Sequence, residues 1–111
     1  MGQLGEPSLP KLDLELRRGV LVIAVLSQLA APQYGYSLRQ ALAARGMAIE
    51  EGTLYPLLRR LEGQGLLESE WRIEDGPPRR YYALSVAGAA ALRRLTSEWR
   101  DLISTMNGLL A

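Results

Sequence analysis

The 111-residue sequence contains no cysteine and no histidine, and its only lysine is Lys11. These absences exclude disulfides, thiolate or imidazole metal ligands, and serine or cysteine nucleophiles that depend on histidine. No loop resembles an EF-hand, and no carboxylates lie in an obviously apolar setting. The composition therefore predicts a protein that is not an enzyme and that holds no metal or cofactor. Catalysis by carboxylates is the alternative that these absences leave open.

Long apolar runs are also missing. The longest run, Val20 to Leu26, is far too short to span a bilayer, and no charged leader precedes a long apolar segment. We therefore expect a cytoplasmic protein with no membrane partner. The chain length corresponds to one domain, small enough for dimerisation to add stability.

Excess positive charge is lacking as well, because the net charge is only +1. Five arginines cluster in one part of the chain, but glutamates and Asp75 are interleaved with them. Affinity for a polyanion would therefore require a fold that gathers the arginines on one surface, or a dimer that doubles this surface.

The segment from Glu51 to Gly65 combines an apolar stripe with a face rich in hydrogen-bond donors. It is predicted to be a short helix that begins at Gly52 or Thr53, has Pro56 in about its first turn and ends at Gly63 or Gly65. At about 100° per residue, its apolar stripe and its donor-rich face fall on two different sides of the helix. One side carries Leu54, Leu57, Leu58 and Leu61, and the other carries Gly52, Thr53, Tyr55, Pro56, Arg59 and Arg60. Such a face suits a DNA groove, and a solvated surface helix is the alternative.

The part of the chain before this segment is predicted to contain two helices. Residues 1–13 are interpreted as a flexible arm rich in Gly and Pro, and Asp13 as the cap of a helix from about Leu14 to Ala30. Its nearly continuous apolar sequence predicts burial on most sides, in part by a partner subunit. A turn at 33–36, a second helix at about 36–45 and a minimal strand at 47–49 are expected to follow.

After Gly65 the apolar period changes from helical to two. Leu67, Ser69, Trp71 and Ile73 alternate with charged residues, which predicts a strand; a turn-forming cluster and a return strand at 79–84 follow. We expect Tyr81 or Tyr82 to pack on the core and Trp71 to be structural.

Ser85 is predicted to cap a final helix at about 86–109. Its apolar residues recur at alternating steps of three and four, as in a coiled coil, and nothing earlier in the chain is obviously available to cover them. We therefore assign this seam to dimerisation: Leu92, Leu95, Trp99, Leu102, Met106 and Leu109.

Together these elements predict a mainly α fold with a small β-hairpin. Residues 14–84 are predicted to form a winged helix-turn-helix domain, and residues 85–111 a C-terminal dimerisation helix. The sequence resembles the PadR family of bacterial transcriptional regulators over roughly 14–109. Three segments carry the resemblance: YGYSL at 34–38, GTLYPLLRRLE at 52–62 and GPPRRYYALS at 76–85.

The resemblance implies a homodimeric repressor that binds double-stranded DNA at a palindromic operator and is released by a small molecule. The single C-terminal helix resembles that of the smaller PadR subgroup, in which this helix packs against the partner's N-terminal helix. A multidrug-sensing member of that subgroup places a tryptophan at the dimer centre, where flat aromatic ligands stack. Trp99 matches that position, and a closed dimer core around Trp99 is the alternative.

The predicted DNA contacts divide by element. Gly52, Thr53, Tyr55, Pro56 and Arg59 would approach the major groove, and Arg60 a phosphate. Tyr34 and Ser37 would meet the backbone, and Arg79 and Arg80 would act in the wing, although both could be a solubilising hairpin tip. A different function is also open: a winged-helix dimer that serves as a small-molecule or protein-interaction module without strong DNA binding.

Overall fold

The computed structural model describes residues 9–111. Within them the chain forms four helices and three strands, with the strands in the antiparallel order β1-β3-β2. The elements are α1 (Leu9–Ser27), β1 (Gln33–Tyr34), α2 (Gly35–Ala44), α3 (Glu51–Gly63), β2 (Leu67–Arg72), β3 (Arg79–Leu84) and α4 (Val86–Leu110). This mainly helical architecture with a small antiparallel sheet confirms the predicted fold class.

The core lies where α3 meets α1, α2 and the sheet. The four leucines of the α3 stripe are all buried, as the helical period predicted: Leu54, Leu57, Leu58 and Leu61. Helices α2 and α3 end in the same way, with a glycine of positive φ (Gly46 at 90° and Gly65 at 79°). After each helix, the N–H of this glycine and the N–H of the next residue donate to carbonyls of the last turns. This is the Schellman arrangement, which requires a residue that tolerates positive φ.

Pro56 lies deeper in α3 than predicted, because the helix begins at Glu51 rather than at Gly52 or Thr53. Proline has no N–H, so the carbonyl of Gly52 lacks its helical donor. Both residues are exposed, and water can therefore solvate that carbonyl.

The first helix differs from its prediction at both ends. It begins at Leu9 and ends at Ser27, so Asp13 lies inside the helix and does not cap it. Pro10 is compatible with the first helical turn, where its missing N–H removes no hydrogen bond. The predicted flexible arm is therefore wrong for residues 9–13, and its first eight residues lie outside the described part. Burial is also less complete than predicted, because only Leu21, Val25 and Leu26 of α1 are buried.

Residues 33 and 34 form a strand where a turn was predicted. Gln33 pairs with Tyr82 and Tyr34 pairs with Tyr81, so β1 adds a third strand to the hairpin. The minimal strand predicted at 47–49 is absent, and Ile49 instead inserts into the core. Two residues are too few to show a period, and only the partner strand defines β1.

The predicted hairpin is present, with Leu67 opposite Leu84 at its base and Arg72 opposite Arg79 near its tip. Tyr82 is buried, as expected for one of the two tyrosines. Trp71 is 64% exposed. It lies on β2 as predicted, but it is not part of the core, because the core ends before the hairpin does.

Helix α4 is joined closely to the rest of the chain at its first turn. The Ser85 hydroxyl caps it by accepting a hydrogen bond from the Gly88 N–H at 2.9 Å, as predicted, and donates one to the Gly65 carbonyl at 2.6 Å. Gly88 is buried against the carbonyl of Leu66, and a Cβ at this position would overlap that oxygen.

The seam of α4 is covered in its first half only. Leu92 and Leu95 pack against the core, so the expectation that nothing earlier in the chain could cover the seam is wrong for these two residues. Further along, Trp99 is 39%, Met106 44% and Leu102 54% exposed. These three line an apolar groove of about 750 Å³ between α1 and α4.

Candidate nucleic-acid interface

The outer face of α3 carries the predicted contact residues, and most of them are free to meet a partner. Gly52, Thr53, Pro56, Arg59 and Arg60 are exposed. Tyr55 differs, because it is half-buried and its ring lies directly on Gly35, where a Cβ would overlap it. Tyr55 therefore ties α3 to the start of α2, a role that the sequence did not indicate.

Three acidic residues near this surface are paired with arginines other than Arg59, Arg60 and Arg79. Three ion pairs join described residues: Arg39 with Glu51 at 3.2 Å, Arg72 with Glu70 at 2.7 Å and Arg80 with Glu62 at 3.1 Å. Within residues 9–111, Arg59, Arg60 and Arg79 have no carboxylate at ion-pairing distance. The fold thus leaves these three guanidinium groups unpaired on α3 and the wing, although Glu68, Glu74 and Asp75 of the wing also lack an arginine partner within the same residues.

Arg80 was predicted to contact DNA, but in the structure it binds residues of the protein itself. Its Nη2 donates to Glu62 and its Nε donates to the Ser69 hydroxyl at 2.9 Å, while Ser69 donates to the other Glu62 oxygen. This triad of Glu62, Ser69 and Arg80 links the last turn of α3 to both strands of the wing. Charge-assisted hydrogen bonds of this kind are directional, so the triad fixes the angle between the two elements.

Tyr34 and Ser37 are also engaged locally. The Ser37 hydroxyl donates to the Tyr34 carbonyl at 3.0 Å, which closes the first turn of α2. The Tyr34 ring meets Tyr81 edge-on at 5.4 Å and lies under the Arg79 guanidinium at 4.5 Å. Arg79 itself is exposed, so its charge faces solvent while its position is set by the tyrosine below.

Between α3 and the wing lies a cleft of about 340 Å³. Its walls are aromatic and cationic, with Tyr55 and Arg59 on one side and Trp71, Arg79 and Arg80 on the other. At its floor, burial raises the pKa of the Tyr82 hydroxyl, while nearby Arg80 acts in the opposite direction. The phenol is therefore neutral at physiological pH, and the charge of the cleft comes from its arginines.

Several residues of this surface were missed at the level of sequence. Arg39 donates from Nε to the Ile49 carbonyl at 3.0 Å and so bridges α2 to the segment before α3. Glu62 and Ser69 belong to the triad, and Trp71 lines the cleft. The alternation along β2 predicts that Ser69 and Trp71 share one face of the strand. It does not predict which residues this face contacts.

Two findings concern other kinds of site. No group of three or more acidic side chains within residues 9–111 is arranged to hold a metal ion. In the same part of the chain, no helix combines the length and apolar character needed to cross a membrane.

Comparison with known proteins agrees with this geometry. The Transcriptional regulator PadR-like family matches residues 22–94. The transcriptional regulator Rv3488 of Mycobacterium tuberculosis is 43% identical over 79 residues, which cover 70% of this chain and 74% of that protein.

Solved structures are similar over most of their length. A PadR family transcriptional regulator from Eggerthella lenta is 49% identical with a TM-score of 0.85, covering 92% of this chain and 91% of that one. A PadR-like transcriptional regulator from Bacillus cereus is 31% identical with a TM-score of 0.75, covering 86% and 96%. The chain therefore belongs to the PadR-like family of transcriptional regulators, which are DNA-binding proteins.

Proposed function

We propose that this regulator is a homodimeric repressor that binds a palindromic operator through α3 and the wing. The observation that carries the proposal is the charge arrangement, in which Arg59, Arg60 and Arg79 are exposed and unpaired within residues 9–111, while Glu51, Glu62 and Glu70 pair with other arginines. Arginine can bond guanine edges bidentately in the major groove or bind phosphates anywhere along the duplex.

The predicted division of labour follows from position. Arg59 lies on the exposed face of α3 together with Gly52, Thr53 and Pro56, and we assign these residues to the major groove. Arg60 and Arg79 are assigned to phosphates, with Tyr34 beneath Arg79. Tyr55, Ser37 and Arg80 support this surface from below through the contacts described above. Residues 14–84 would thus form the DNA-binding domain.

Dimerisation is proposed through the exposed half of the α4 seam, within residues 85–111. Trp99, Leu102 and Met106 leave an apolar surface that a second copy would cover, with Leu109 continuing it. A two-fold symmetric dimer presents two copies of α3, which explains why a palindromic site is expected.

Release by a small aromatic effector is assigned to the same groove. Trp99 offers a flat apolar surface, and the volume of about 750 Å³ between α1 and α4 falls in the range typical of small-molecule sites. A planar aromatic compound should lower the affinity of the wild-type protein for its operator and should affect the Trp99→Ala variant much less.

The alternative of a winged-helix dimer without strong DNA binding was based on the interleaved acids. Glu51, Glu62 and Glu70 each pair with an arginine outside the proposed groove contacts. Three of the interleaved acids are therefore paired, whereas Glu50, Glu68, Glu74 and Asp75 have no arginine partner within residues 9–111 and still favour this alternative.

The test is a comparison of two arginine variants on operator and scrambled DNA. The operator is first selected from a random duplex pool, and binding is then measured by fluorescence anisotropy over a series of salt concentrations. Arg59→Ala should reduce the preference for the operator by about 1–3 kcal/mol. Arg79→Ala should weaken both duplexes alike and lower the salt slope by about one per copy of the chain.

Arg100→Ala, an exposed arginine on α4, is the matched control because it removes the same charge away from α3 and the wing. Affinity close to wild type is expected for it. Equal effects of the Arg59 and Arg79 variants on both duplexes would contradict the assigned roles, and absence of operator selection would contradict the function itself.

A further inference from the structure

The wing carries two large apolar side chains that the protein leaves uncovered. Trp71 at the end of β2 is 64% exposed, and Ile73 just beyond the strand is 76% exposed. Trp71 belongs to the face of β2 that also carries the buried Leu67 and the triad residue Ser69, whereas Ile73 lies past the end of the strand. This face packs on α3 near the base of the hairpin and continues past the core toward the tip.

The surroundings of Trp71 identify the chemistry of what could cover it. The indole lines the cleft between α3 and the wing, together with Arg59 and Arg79, which have no carboxylate partner within residues 9–111. An apolar surface flanked by unneutralised guanidinium groups matches a ligand that alternates anionic and apolar groups. The sugar–phosphate backbone of DNA has this alternation, because each phosphate is followed by the C–H faces of a deoxyribose.

The indole is held in position by its neighbour across the hairpin. Trp71 lies directly opposite Arg80, whose guanidinium carbon is 5.6 Å from the ring centre. Arg80 in turn is fixed by Glu62 and Ser69. The exposed ring is therefore attached, through three residues, to the helix that we assign to the major groove.

We infer that Trp71 packs against deoxyribose sugars of the DNA strand that passes between α3 and the wing. This inference rests on the proposed function and adds an apolar contact to a surface otherwise recognised by charge. A contact of this kind contributes affinity without neutralising a phosphate, and it should therefore be insensitive to salt.

Salt dependence separates this contact from an ionic one. Trp71→Ala should weaken binding to both operator and scrambled duplexes by about tenfold, as expected for an aromatic side chain that becomes buried, with the salt slope unchanged. Trp71→Tyr should restore most of the lost affinity. Thermal unfolding of both variants should match the wild type, since the side chain is largely exposed in the free protein.

A direct readout uses the wild-type chain labelled with 5-fluorotryptophan. The two tryptophans give two ¹⁹F resonances, and the spectrum of Trp71→Tyr assigns the one that belongs to Trp71. Addition of the operator duplex should reduce the H₂O/D₂O isotope shift of that resonance, because the sugars exclude solvent from the indole.

Three outcomes would overturn the inference, and they can be distinguished. If Trp71→Ala binds as tightly as the wild type, or if the indole stays solvent-accessible in the complex, Trp71 makes no contact although the protein is a DNA-binding regulator. If Trp71→Ala lowers the salt slope, Trp71 acts only by holding Arg80. If the wild-type protein binds no duplex, the proposed function fails together with the inference.

Discussion

The two halves of this molecule differ in how completely they bury their own apolar side chains. In the winged half, from β1 to β3, Leu38, Leu54 and Leu58 are fully buried. Along the second half of α4, Leu102 and Met106 keep about half of their surface exposed. The winged half therefore buries most of its large apolar side chains within one chain, with Tyr36, Trp71 and Ile73 as the exposed exceptions, whereas the second half of α4 exposes its apolar seam.

The largest expected effect contrasts leucines from the two halves. Leu58→Ala should lower the free energy of unfolding by about 3 kcal/mol, because it opens a cavity in a core that cannot close around it. Leu109→Ala, on the exposed seam, should change it by less than about 0.5 kcal/mol. Urea denaturation at a protein concentration low enough to keep the chain monomeric measures both, so that loss of the proposed dimer contact of Leu109 does not contribute. Equal losses would contradict the difference in burial.

The contact between Gly88 of α4 and the turn that follows α3 gives the next largest effect. Gly88→Ala should cost about 2 kcal/mol, since the added Cβ overlaps the Leu66 carbonyl and must displace backbone. Gly108→Ala is the matched control, because that glycine has no neighbour within 4 Å of its Cβ position. It should be stabilising by less than about 1 kcal/mol, because Ala has the higher helix propensity but this position lies in the last helical turn. Thermal denaturation measures both variants. A Gly88→Ala variant that is more stable than the wild type would contradict the close contact between Gly88 and the Leu66 carbonyl.

The smallest of the three effects concerns the uncovered surface alone. Leu102→Glu should raise the dissociation constant of the proposed dimer by about tenfold, because it places a charged group in an apolar interface. The fold of each chain should be unchanged, since the side chain is half exposed within one copy. Sedimentation over a range of concentrations measures the change, with Ser97→Glu on the same helix as the control. An unaltered association would place the dimer interface elsewhere.

Local patterns predicted the parts of this fold that depend on local geometry. The helical period of α3 placed its four leucines, and the period of two located the hairpin, since each pattern reports the side that one element buries. Ser85 was identified as a cap by the same kind of local chemistry.

The remaining features depend on partners distant in the chain. Strand β1 is defined only by its pairing with β3, and Glu62 meets Arg80 across the turn and the whole of β2. The alternation of apolar and polar residues predicts the strand face on which Trp71 lies. It does not predict where along the hairpin the core ends. The start of α1 was missed because Gly and Pro suggest an arm, although Pro10 is compatible with a first helical turn.

The attachment of α4 has a mechanical consequence. Its 25 residues form a rod about 37 Å long, held where Ser85 and Gly88 meet the turn that follows α3 and, along its first half, by Leu92 and Leu95 on the core. Tilting such a rod by about 5° displaces its far end by roughly 3 Å. In the proposed dimer, the two α4 helices would determine the distance between the two α3 helices. This distance has to match half-sites that lie about 34 Å apart on DNA. A modest repacking around Trp99 would then be enough to change the distance between the two α3 helices, so that they no longer match the spacing of the half-sites.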